Sequence, residues 1–224
     1  MSALASLNVP GGSDETIDAA ELAREIESAI SSEGALQAFV ERVEDVDPTG
    51  PSRLPGLTVG HVMTHLARNG DGVLSVLAGR PQDPHCVAGR NAEIEAGAGR
   101  RWPDLVADVV SRSEAVVGAI RGCGDWSGTV AMLPGERRKR QVPLLRQREV
   151  EVHRVDLGLG YEFVDLPQDY VRRDLRLIGM LWTARQPMGM TPLPGAALAV
   201  DPSTRLGWML GRIEIPGLGP AGLL

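Results

Sequence analysis

Between Thr16 and Glu44 the apolar residues Ile17, Ala20, Leu22, Ile26, Ile30, Leu36, Phe39 and Val40 fall mostly three or four positions apart. That is the spacing of one face of an α-helix. Gly34 lies inside the stretch and predicts a break into two helices. Residues 1–14 carry no pattern and read as a loose tail. From Asp45 to Gly56 three prolines interrupt a polar run, which marks turns and forbids a helix. Thr58 is then a good N-cap residue. Val59, Val62, Leu66, Val73 and Leu77 form a stripe that predicts a helix to about Ala78, closed by Gly79 with Pro81 beyond.

Residues 80–101 are expected to be irregular or briefly helical. A long helix is predicted from Trp102–Pro103 to Ile120, with Leu105, Val109, Val116 and Ile120 inward and Gly122 at its end. One short strand candidate, Gly128 to Leu133, precedes the basic run Arg137-Arg138-Lys139-Arg140. The pattern then predicts a helix from Pro143 to Leu157, stopped by Gly158 and Gly160, and another over 168–185 with Val171, Leu175, Ile178 and Leu181 on one face. Beyond Pro187, Gly and Pro dominate, with one helical candidate near Ser203 to Leu210. The expected fold is mainly α: a helix bundle over residues 15–185, preceded by the tail and followed by a short α+β or irregular extension over 186–224.

Composition narrows the function classes. The 224 residues include Lys+Arg 23 and Asp+Glu 29, a net charge of −6, which argues against nucleic acid as a main partner. There is no run of about 18 apolar residues, so no membrane helix is expected. No basic region with an apolar core opens the chain, so a secretory signal is not expected either. The two cysteines, Cys86 and Cys123, supply neither a disulfide framework nor a cysteine zinc site, and read as small packing residues in a cytoplasmic protein. The Arg137–Arg140 run reads as a solvated loop. A monomer and a homodimer are both compatible with the pattern.

Chemistry concentrates in two pairs, His61/His65 and Glu149/His153. A spacing of four stacks each pair on one helix face. Imidazoles with a carboxylate suit a borderline divalent metal such as zinc. The segment His61-Val62-Met63-Thr64-His65 has no Glu to activate water, so it is not the metalloprotease helix His-Glu-x-x-His. In helix bundles, ligands come instead from facing helices. His65 opposite Glu149 and His153 gives three ligands and an open position, the arrangement of a catalytic site. The same residues also suit a buried neutral histidine, a surface histidine and a solvated glutamate. His85 stands in a proline-rich loop and reads as incidental. Arg90 is suited to a substrate carboxylate, or equally to pairing with Glu93 or Glu95.

Three segments carry a family resemblance. Leu57-Thr58-Val59-Gly60-His61-Val62-Met63-Thr64-His65-Leu66-Ala67-Arg68-Asn69 resembles the second helix of mycothiol-dependent maleylpyruvate isomerases. Arg90-Asn91-Ala92-Glu93-Ile94-Glu95-Ala96-Gly97-Ala98-Gly99-Arg100 is similar to their next characteristic stretch. Glu149-Val150-Glu151-Val152-His153-Arg154-Val155-Asp156-Leu157 resembles their metal-helix motif. Order and spacing agree over 16–185, the four-helix region shared with DinB-like proteins.

The resemblance implies His65, Glu149 and His153 as metal ligands, with His61 a neighbour and Asp156 an acidic residue beside the site. It also implies a C-terminal arginine that reaches the active site, matched by Arg212 in Leu210-Gly211-Arg212. The strands expected before that segment are abbreviated here. The implied cofactors are a divalent metal, zinc by its ligands, and mycothiol; the implied partner is a small anionic or electrophilic substrate. The implied isomerase reaction is thiolate addition to the cis double bond of maleylpyruvate, rotation, and expulsion to the trans product. Arg212 or Arg90 would hold carboxylates, and Asp156 would move a proton or orient a histidine. A mycothiol S-transferase on the same scaffold needs the same parts, and a non-catalytic metal- or ligand-binding module needs only some of them.

Overall fold

A computed structural model of the chain describes residues 18–80, 86–132, 135–185 and 192–223. The expected tail, His85 and the last residue of the strand candidate, Leu133, lie outside these residues. Two compact units emerge, one ending at Tyr161 and one running from Glu162 to the C-terminus.

The first unit contains α1 (Ala19–Arg42), α2 (Val59–Leu77), α3 (Cys86–Gly97), α4 (Trp102–Gly122), a hairpin of β1 (Thr129–Met132) and β2 (Gly135–Arg138), and α5 (Val142–Asp156). Helix α1 packs on α4 and α5, and α2 packs on the same two. The result is a closed ring of four helices, a four-helix bundle of mainly α class. Asp18 caps α1 by accepting from the backbone N–H groups of Ala20 and Glu21. The break predicted at Gly34 does not occur. A helical glycine costs about 1 kcal/mol, and the burial of Ala29, Leu36, Phe39 and Val40 around it more than offsets that.

Thr58 caps α2 as expected, but the reciprocal partner in the capping box is the His61 ring. Gly60, in the first turn, passes so near α3 that a Cβ there would lie 1.9 Å from the Ala98 carbonyl oxygen. Only glycine permits that approach. Helix α3 itself stands where irregular chain was expected. Its apolar periodicity is faint because Ile94 alone among its described side chains is fully buried. Packing on α2 holds it, and the Arg100 side chain beyond its end donates to Gly97 O and Thr64 Oγ1.

The hairpin pairs Thr129 with Arg138 through Met132 with Gly135. Trp126, Val130 and Met132 close one end of the bundle over Val73, Val76, Val116, Ile120 and Val142. This corrects the solvated-loop reading of the basic run. Arg137 lies in β2 and is only 5% exposed, Arg138 to Arg140 are half-buried, and Lys139–Gln141 form a 3-10 turn into α5.

The second unit holds α6 (Gln168–Arg185), α7 (Gly195–Ala199) and α8 (Pro202–Met209). Helix α6 packs against α8, with Trp182 and Trp208 rings 5.6 Å apart and Gln168 donating to Ser203. It therefore groups with the C-terminal residues, and the division falls after Tyr161 rather than at 185/186. Its described residues contain no strand. Gly211, with φ of 69°, ends α8: its N–H donates to Trp208 O and that of Arg212 to Gly207 O, a glycine helix stop. Among the described residues no helix is long and apolar enough to cross a membrane.

Candidate metal centre

Helix α5 is polar in sequence yet buried nearly all round: Arg146, Gln147, Arg148, Glu151, His153, Arg154 and Asp156 are all buried. Burying such groups is costly unless they are paired. Tyr161 Oη donates to Glu151 at 2.7 Å, and the Arg154 guanidinium also reaches Glu151 while stacking 3.8 Å over the Tyr161 ring.

On the bundle-facing side of α5, Glu149 and His153 sit one turn apart and meet His65 of α2. His65 Nε2 lies 2.8 Å from Glu149 Oε2. His153 Nε2 lies 3.3 Å from the same oxygen, outside hydrogen-bonding geometry. The two imidazole rings are 4.6 Å apart, edge to face. One ligand-type atom from each of the three residues falls within 4.8 Å of the others. His153 is oriented from behind, its Nδ1 2.9 Å from Asp156 Oδ2. A proton on Nδ1, assigned from that contact, turns Nε2 toward the cluster.

The electrostatics follow from burial and proximity. Burial works against charge on His153, but the Asp156 hydrogen bond, Glu149 and both carboxylate charges outweigh it and push its pKa up to about 9. Burial lowers His65, opposed by Glu149 and reinforced by the charges of His153 and Arg90. Burial would raise Glu149, but His153 and His65 hold it well below the usual carboxylate range.

The residues fit a divalent cation. His65 Nδ1 and His153 Nε2 are both buried with no hydrogen-bond partner among the described residues. A buried nitrogen without a partner is unusual. His153 Nε2 is one such atom, and with His65 Nε2 it lies against the Glu149 carboxylate, a donor set for a borderline metal. His61 lies outside the cluster: its Nδ1 contacts Thr58 Oγ1 at 2.7 Å and its Nε2 contacts Glu95 at 3.2 Å. Arg90 on α3 is near enough for its charge to bear on His65, and is not paired with Glu93 or Glu95 among the described contacts. Cys123 ends α4, its Sγ donating to Asp125 O. Arg212 belongs to the second unit, where its Nη1 donates to Leu210 O.

Beneath the cluster lies a network that motif reading misses. Arg146 Nε donates to Glu33 Oε1 at 2.6 Å, and Nη1 donates to Leu66 O and Asn69 Oδ1. Ser113 Oγ donates to Glu33 Oε2 at 2.6 Å. A signal existed, since Glu33 falls on the helical stripe of Ile26, Ile30, Leu36 and Val40, where an apolar residue is expected.

The fold and site define a four-helix bundle with a buried His–Glu–His cluster between two of its helices. Residues 31–158 match the family described as the mycothiol maleylpyruvate isomerase N-terminal domain, and the chain belongs to that family. The fold is also that of two solved structures, a mycothiol-dependent maleylpyruvate isomerase and a histidine-to-alanine mutant of it. Each has a TM-score of 0.71 and 21% identity, covering 85% of this chain and 89% of the other. No curated protein matches the sequence significantly.

Proposed function

We propose that the protein is a mycothiol-dependent metalloenzyme and, within that class, a cis–trans isomerase of maleylpyruvate or a related activated alkene. The observation that supports this reading is the convergence of His65, Glu149 and His153 in a chain of this family. These three side chains would hold the ion, zinc by their chemistry. A bound divalent metal supplies the charge that keeps a thiol ionised at neutral pH.

The chain's own residues supply the rest. Asp156 fixes the His153 ring through Nδ1. Arg90 brings a cation near His65, suited to a substrate carboxylate. Arg212 is the proposed catalytic arginine of the C-terminal unit, holding a carboxylate or developing enolate. Isomerisation needs no net oxidation or reduction. A cytoplasmic location suits a reduced-thiol cofactor and a chain with two cysteines.

The test is product analysis with zinc-loaded protein, mycothiol and maleylpyruvate. Mycothiol-dependent appearance of fumarylpyruvate, with the thiol unconsumed, supports isomerisation. A released thioether would assign the protein as an S-transferase instead. Absence of thiol-dependent turnover across a panel of electrophiles would leave a binding module.

A further inference from the structure

The buried network lies one helical turn from the ligand cluster and connects the two helices that carry it. On α5, Arg146, Glu149 and His153 occupy positions i, i+3 and i+7, so they share a face. On α2, Asn69 follows His65 by four residues. The α2–α5 contacts therefore come in two successive layers, His65 to Glu149 at 2.8 Å and Asn69 to Arg146 at 2.8 Å. Arg146 reaches α2 a second time at the Leu66 carbonyl, 3.0 Å away, and this residue is next to His65. Glu33 of α1 grips the guanidinium from the far side through both oxygens, and Ser113 of α4 donates to Glu33. All four helices of the ring thus meet at one charge pair, and both its side chains are 1% exposed.

We propose that Arg146, held by Glu33, is a positioning residue that sets the register between α2 and α5 and so the separation of His65 from Glu149 and His153. The inference rests on the metal reading above. Its physical basis is that a buried ion pair adds little net stability over apolar side chains of similar size, whereas fixing register is its best-attested use. An apolar layer can slide, but a planar guanidinium with fixed donor directions cannot keep Glu33, Leu66 O and Asn69 if α5 shifts along α2. One residue of slip moves a helix about 1.5 Å, too much for ligand bonds of roughly 2.0–2.2 Å.

The experiment titrates Co²⁺ into metal-free protein and follows visible absorption, for the wild type, a Glu33→Leu/Arg146→Met double variant and Asn69→Ala. Far-UV circular dichroism of each metal-free protein monitors folding. The double variant is expected to fold and to bind Co²⁺ at least about tenfold more weakly, the scale of outer-shell effects on metal affinity, with altered visible bands. Asn69→Ala, which removes one Arg146 contact and leaves the charge pair, should weaken binding several-fold. A folded double variant with wild-type affinity and spectrum would overturn the proposal, because a purely structural pair predicts that result. Should the double variant not fold, Asn69→Ala decides alone, and unchanged affinity and bands overturn it. Failure of the wild type to bind Co²⁺ is a separate outcome that removes the metal reading together with this inference.

Discussion

His153 and Asp156 face each other across one turn of α5, with Nδ1 2.9 Å from Oδ2 and both side chains almost wholly buried. The carboxylate settles which ring nitrogen carries a proton and which is presented to His65 and Glu149. Asp156→Asn keeps an acceptor at that position but removes the charge. The His153 pKa should then fall from about 9, measured by NMR titration of the metal-free protein. Zinc affinity should drop about 10- to 100-fold, measured by competition with a chelator.

A second expectation concerns pH. The folded value of His153, about 9, lies above the ordinary value of about 6.5. Its contribution to stability is complete below pH ~6.5 and is lost as pH rises through about 9. His65 is shifted the other way, so its contribution is lost as pH falls below ~6.5. Glu149 is held low, and its contribution is lost only in acid. Metal-free protein should therefore be most stable near pH 6.5 by urea unfolding. Metal binding must displace the His153 Nε2 proton, so at pH 7 calorimetry in two buffers of different ionisation heat should show about one proton released per ion.

The two histidines of α2 should separate cleanly. His65→Ala should abolish metal binding. His61→Ala should retain it, with a loss of about 1 kcal/mol of stability from the damaged cap. Equal metal loss in both variants would contradict the placement of His61 against Thr58 and Glu95.

Gly60→Ala tests the close approach of α2 to the end of α3. A methyl group 1.9 Å from a carbonyl oxygen forces backbone movement, with an expected cost above about 2 kcal/mol. Thermal unfolding of the variant, compared with Gly34→Ala in open space on α1, provides the check. The second substitution should stabilise by up to about 1 kcal/mol.

For Arg212, the expected signature of a catalytic role is kinetic. Arg212→Ala should lower kcat and kcat/KM strongly while zinc content and mycothiol affinity stay as in the wild type. Unchanged kcat/KM would remove Arg212 from the proposed reaction and leave Arg90 as the candidate for carboxylate binding.

What the sequence made legible follows from how each element is buried. Helix α4 has one buried face and one wet face, so its span and inward residues could be read from spacing. Helix α2 has no exposed residue, so its cap and apolar stripe gave its span but not the burial of Met63, Thr64, Ala67 and Val76. Helix α3 buries little and leaves little periodicity. Strand β2, Gly-Glu-Arg-Arg, lacks β-forming side chains and exists because it pairs with β1; a reading by local composition makes it a loop. The spacing of Glu149 and His153 was visible, as was His65 one turn after His61. What no spacing reveals is which α2 histidine turns toward α5; the Thr58 cap decides that by engaging His61. Glu33 and Arg146 were hidden for another reason: charged residues read as surface until a partner 113 positions away is known.

The Tyr161 hydroxyl on Glu151 bears on where this bundle can be cut. The match to the N-terminal domain family ends at residue 158, but a chain severed there would lose the phenol that hydrogen-bonds Glu151 and the ring that stacks on Arg154. Both residues are buried, and a carboxylate stripped of such a donor costs more than the bond itself contributed. A transplantable or separately expressed bundle therefore has its natural border beyond Tyr161, and chimeras joined at 158 should be less soluble and easier to proteolyse than those joined at 161.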